Sequence, residues 1–162
     1  MEGAAGMLAW LDTTQLARAM RGSIWMYPIV EIAHIVGIVL LVGSVAMFDL
    51  RVLGFARSLP LRALGRHLLP WSVASLALVV PAGLLMFSAH PHDLIGNRVF
   101  LLKLSLIGVA GLNALLFHTG VYRSVESWNA GVPAPPSARA HALASLVIWI
   151  AVISCGRLLA YT

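Results

Sequence analysis

Glu31 and His34 stand three residues apart in the middle of an apolar run, Ser23 to Gly54, SIWMYPIVEIAHIVGIVLLVGSVAMFDLRVLG. At that spacing the two side chains share one helix face. A carboxylate beside an imidazole can pass a proton or hold a metal ion, because imidazole titrates near neutrality and is a common metal ligand. Two more charges fall at similar depth in later apolar runs, Lys103 and Arg157. Counted down each run from its outer boundary, Glu31, Lys103 and Arg157 lie roughly 6 Å below the surface and His34 about 10 Å, by the helical rise. A carboxylate is expensive in hydrocarbon. Glu31 is therefore expected to face the protein interior and pair with Lys103 or Arg157. The alternative is that both cations reach back to the headgroups. A second polar layer lies at the other end, where His67, His118 and His141 come from three different helices, with Asp49 and Arg51 at the same level. Three imidazoles at one depth suit a metal or haem, although histidine at a helix end is also ordinary interfacial chemistry. His90 and His92 flank Pro91 in a predicted turn.

These residues need helices to position them. The 162-residue chain is 60% hydrophobic and 10% charged, with mean hydropathy +0.90, against about 25% charged in soluble domains. The expected class is all-α: one polytopic membrane domain over residues 1–162, a four-helix up-down transmembrane bundle. Tyr27 to Leu50 alone is about 24 residues, or roughly 36 Å of helix, enough to cross a bilayer with some tilt. The spans are predicted near residues 24–51, 67–89, 98–120 and 140–161. Pro70, Pro81 and Gly83 fall in the second, where Pro81 predicts a kink. Within segment 1–22, the spacing of Leu8, Leu11, Leu16 and Met20 beside Arg18 and Arg21 predicts an amphipathic surface helix anchored by Trp10.

The net charge of +5 and pI near 10.4 come from arginines in short segments between apolar runs, so lipid and topology account for them and no nucleic-acid partner is expected. The stretches 51–66 and 121–139, the latter too rich in proline for a helix, hold Arg51, Arg57, Arg62, Arg66, Arg123 and Arg139. By the positive-inside rule both termini are expected to face away from the cytoplasm. The N-terminus lacks the pattern of a cleavable signal peptide. Cys155 is the single cysteine, which excludes an internal disulfide.

The motifs SxWxYPxVExxHIxG at Ser23 to Gly37, FDLRVLG at Phe48 to Gly54, RHLLPW at Arg66 to Trp71 and GRLLAY at Gly156 to Tyr161 resemble a family of small four-span bacterial inner-membrane proteins of unknown function. More distantly, the size and the histidine-bearing bundle are similar to the copper-resistance D membrane domain and to b-type cytochrome membrane subunits. The resemblance implies a bacterial inner membrane and haem b, quinone or copper as ligand. For haem, the implied residues are His34 or the inner His67, His118 and His141, with Lys103 and Arg157 neutralising propionates. His34 lacks a histidine partner at its own depth.

Three functions compete. One is an electron-transfer or membrane-anchor subunit holding haem b. The second is a proton- or copper-handling carrier using Glu31 and His34, although Met26, Met47 and Met86 show no regular spacing. The third is a non-catalytic subunit whose polar layer ties helices together, with Gly37, Gly43, Gly108 and Gly111 permitting close approach to each other or to a homo-oligomeric or redox partner. No hydrolase triad, nucleotide loop or zinc motif is present, and turnover by this chain alone is not expected.

Overall fold

The computed structural model describes residues 2–161, with the side chains of residues 2–5 and of Leu8 outside the described set. Leu8, named above on the apolar face of the first segment, is among these. Helices dominate: α1 (Glu2–Thr13), α2 (Gln15–Gly22), α3 (Met26–Leu53), α4 (Leu61–Ala89), α5 (Pro91–Gly96), α6 (Arg98–Thr119), a 3₁₀ helix (Val121–Trp128) and α7 (Pro136–Leu158). Among the described residues there is no strand. Four of the helices, α3, α4, α6 and α7, are long and apolar enough to cross a membrane.

Their apolar surface lies mostly on the outside. Only 11% of the most apolar window of α3 and 6% of that of α6 is buried within the protein. A soluble chain could not leave so much aliphatic surface facing water, so lipid is the solvent for this face. The long helices alternate in direction, which puts both ends of the chain on one side, here called the outer side.

Backbone packing runs α4 to α3, α3 to α7, and α7 to α6. The backbones of α4 and α6 stay apart: Phe87 stacks on Phe100 at 5.8 Å near the outer end, while at the inner end Tyr122, from the 3₁₀ helix that follows α6, lays its hydroxyl over Gly65 of α4. The result is a four-helix bundle with one loosely closed seam. α3 and α4 approach closely at Gly37, where an added Cβ would stand 2.7 Å from Val79 Cγ2 and 3.2 Å from Val79 N. Gly43, Gly108 and Gly111 have nothing within 4 Å, so of the four glycines expected to permit close approach only Gly37 does so within the chain.

The helix ends differ from the predicted ones. The second long helix begins at Leu61, not near 67, because Pro60 suits a helix start and Asn129 accepts the Leu61 and Arg62 amides at 2.9 Å each. The fourth begins at Pro136, whose missing N–H costs nothing at the first turn. Part of the proline-rich 121–139 segment is helical after all, as the 3₁₀ helix over Val121–Trp128, because its prolines all come after Trp128. The turn expected after His90 is the short helix α5.

The N-terminal segment also departs from a single surface helix. It breaks at Thr14, whose side chain caps α2 by accepting the Ala17 amide at 3.2 Å. α2 then packs on α4, burying Ala17 and Met20 almost completely. Arg21 joins the two pieces to the outer end of α4, bonding Asp12 at 2.6 Å and the Ala89 carbonyl at 2.9 Å. Trp10 remains exposed, as an interfacial anchor would.

On the inner side, Phe48, Val52, Leu61, Leu68, Phe117, Val125, Trp128, Ala138 and Ala142 form the main apolar core. Arg51, 3% exposed, closes this end. Its guanidinium donates to the carbonyls of Leu59 at 2.7 Å and of Arg57 and Asn129 at 3.0 Å each. Gly54, at φ +114, turns the chain out of α3 in a conformation that favours glycine, so that the loop can fold back over Arg51.

Candidate functional site

His34 is turned toward α4, where its Nδ1 meets the Val79 carbonyl at 2.9 Å. A carbonyl can only accept, so Nδ1 carries the proton and the Nε2 lone pair is presented. Gly83 makes this possible. It lies one helical turn after Val79, and an added Cβ there would stand 3.1 Å from His34 Cε1. With no side chain at 83, the ring can reach a carbonyl that already belongs to the helix ladder.

Lys103 of α6 and Glu31 both lie within electrostatic reach of the His34 ring. The Lys103 ammonium reaches α7, with Nζ 3.7 Å from where a Gly156 Cβ would be, an ordinary contact distance, and Cys155 of α7 is its nearby buried neighbour. Of the two glycines, only Gly83 is tight enough to hold space for a polar head. The resulting outer-half cluster draws on α3, α4, α6 and α7.

Glu31 is placed differently from expectation. It is exposed at the flank of α3, and among the described residues it joins no ion pair. Three residues on a helix are not a full turn, so rotating His34 squarely onto α4 carries Glu31 toward the outside. Arg157 is exposed too, its guanidinium 4.9 Å over the Tyr161 ring and hydrogen-bonded to the Tyr161 hydroxyl. That is an interfacial posture, and it leaves Lys103 as the one of the two expected cations that turns inward.

The inner histidines do not converge. His67 is exposed. His118 is packed among Phe117 and Tyr122, with ring centroids 5.2 and 5.1 Å away. His141 is clamped by Asn113, whose Nδ2 donates to the His141 carbonyl at 3.0 Å while Oδ1 accepts from the His141 Nδ1 at 2.7 Å. Outside the spans, Tyr122 closes this aromatic group, and burial raises its phenol pKa while Arg62 and Arg66 pull it back.

Haem b is tested by this geometry. Bis-imidazole ligation needs two rings facing one another across a macrocycle. His118 is filled in by aromatic rings on its flanks, His141 is held by Asn113, and His34 has no second imidazole at its level. The residues present do not fit bis-histidine haem. Nor do three His, Cys, Asp or Glu side chains converge on a common metal position among the described residues. At the Glu31 and His34 pair, an incoming ion would find the His34 Nε2 lone pair with a carboxylate at its flank.

Sequence reading passed over several partners. Val79 and Gly83 hold His34, Gly156 and Cys155 neighbour Lys103, and Asn113 fixes His141. Asp49 is the other case: it is 7% exposed, stands near the buried Ser145 of α7, and has no partner for Oδ2. It was legible as a charge near a helix end, but its burial away from Arg51 was not.

No family model, curated protein or solved structure matches the chain.

Proposed function

We propose that this multi-pass membrane protein is a subunit of an electron-transfer system, and that its outer-half site binds the head of a membrane-soluble quinol or quinone. The carrying observation is the His34 Nδ1 bond to Val79, which fixes the tautomer and leaves Nε2 as an acceptor within electrostatic reach of the Lys103 ammonium. A quinol hydroxyl donates to Nε2 and a quinone carbonyl accepts from Lys103, so the pair matches both redox forms of one head group. The loosely closed seam between α4 and α6 gives such a molecule a lateral route from lipid. The resemblance to b-type cytochrome membrane subunits supports the same reading. It also supports a bacterial inner membrane, and the arginines of the two inner loops support an outward placement of both termini.

The test is binding of a short-chain quinone to the purified protein in lipid nanodiscs, followed by tryptophan quenching and by photo-crosslinking with an azido analogue. Saturable binding is expected, weakened at least tenfold in His34→Leu and in Lys103→Met. Absence of saturable binding, or binding untouched by both substitutions, overturns the proposal. An absorption spectrum of the same sample reports any haem directly.

A further inference from the structure

Asp49 lies near the inner end of α3, about one turn inside Leu53. Ionised, it would place two anionic oxygens in the bundle with the nearby Ser145 hydroxyl as a donor, and Oδ2 has no hydrogen-bond partner. Protonated, its O–H can be given to the Ser145 hydroxyl oxygen, and what stays unpaired is a neutral carbonyl, a far smaller penalty.

The charged groups around it are either bonded elsewhere or exposed. On its own helix, Arg51 is used by the carbonyls of Leu59, Arg57 and Asn129. From α4, Arg66 and His67 are exposed. From α7, His141 is bonded to Asn113 and Arg139 is exposed. α2 packs at the opposite, outer end, and its only charged residues are Arg18 and Arg21. Among the described residues no ion pair involves Asp49.

We propose that Asp49 with Ser145 is a membrane-embedded proton site: the carboxyl is held as the neutral acid at neutral pH and exchanges its proton with the inner aqueous face. The ligand is a proton, and the step is the ordinary one in which the O–H bond of the acid breaks and the proton passes to water, leaving a carboxylate. This site is separate from the outer-half cluster and does not depend on what binds there.

Infrared difference spectroscopy of the full chain in lipid tests it. Wild type at neutral pH should show a protonated-carboxyl stretch that disappears in Asp49→Asn and shifts to higher frequency in Ser145→Ala, where the hydrogen bond is lost. The band should shift in deuterated buffer and vanish reversibly as pH is raised. Absence of any band difference between wild type and a folded Asp49→Asn overturns the proposal. If Asp49→Asn does not fold, an unshifted wild-type spectrum in Ser145→Ala overturns it instead. A band that neither exchanges with deuterium nor titrates before unfolding shows a locked proton, which overturns the exchange.

Discussion

Gly83→Ala tests whether a missing side chain on one helix holds the key residue of another. The added methyl would begin 3.1 Å from His34 Cε1, against about 3.5–4.0 Å for an ordinary carbon contact. The ring must retreat by about 0.5 Å, which stretches the 2.9 Å bond to Val79 toward the limit of useful hydrogen bonding, about 3.4 Å. Losing that bond costs about 0.5–1.5 kcal/mol, and the overpacking itself about 1–3 kcal/mol. Against this, alanine is favoured over glycine in a helix interior by about 0.5–1 kcal/mol. The net expectation is a destabilisation of about 1–3 kcal/mol. In a His34→Ala background there is no ring to displace, so the same substitution should instead stabilise by roughly 0.5–1 kcal/mol. Reversible unfolding in mixed micelles of all four members of the cycle measures the coupling, expected at about 2 kcal/mol or more. Additivity within about 0.5 kcal/mol would refute the reasoning, since it would mean that Gly83 and His34 do not meet.

Arg51→Met removes the donor for three carbonyls at the inner end and should cost about 3 kcal/mol or more, with Arg51→Lys recovering only part, as read from the same unfolding assay. Tyr122 has a phenol pKa raised by burial, so the native state holds that proton more tightly than the unfolded one. Its contribution is therefore complete below the ordinary phenol value near 10 and is lost as pH rises through the higher folded value. Alkaline melting curves should fall in that window for wild type and flatten for Tyr122→Phe, and parallel curves would remove the assignment. Reporter fusions to the C-terminus should be active outside the cytoplasm, and activity confined to the cytoplasmic reporter would reverse the orientation.

The four spans were readable because composition forces them: a run such as Ile35 to Ala46 has no other low-energy solvent. What sits opposite what was not readable. His34 announces itself in sequence, but Gly83 is 49 positions downstream in the same chain, and nothing local distinguishes a glycine that admits an imidazole from Gly108, which meets nothing. The same limit hid the Asn113 clamp on His141. Glu31 illustrates the reverse error, since depth in the membrane was inferable but rotation about the helix axis was not. Rotation is set by cross-helix contacts such as Gly37 against Val79. Sequence placed Asp49 and Arg51, two residues apart, at one level, but did not show what each would meet there. The loop carbonyls compete for the guanidinium and win, because a fork of donors satisfies several of them at once.

Arg51 also imposes an order on assembly. One of its three carbonyls belongs to Asn129, 78 positions later, beyond the end of α6. While the first two long helices are entering the membrane, that acceptor has not yet been made. The same Asn129 carbonyl also accepts the Leu61 amide at the start of α4, and its side-chain Oδ1 accepts that of Arg62, so the first helical pair is unfinished at its inner end until the third has followed. The α3–α4 hairpin is in this sense a provisional insertion product, and a chain released after α4 would carry a guanidinium short of a partner in an apolar surround. Ribosome-arrested chains ending between α4 and Trp128 should be drawn out of the membrane by alkaline extraction or pulled upon more readily than chains only slightly longer.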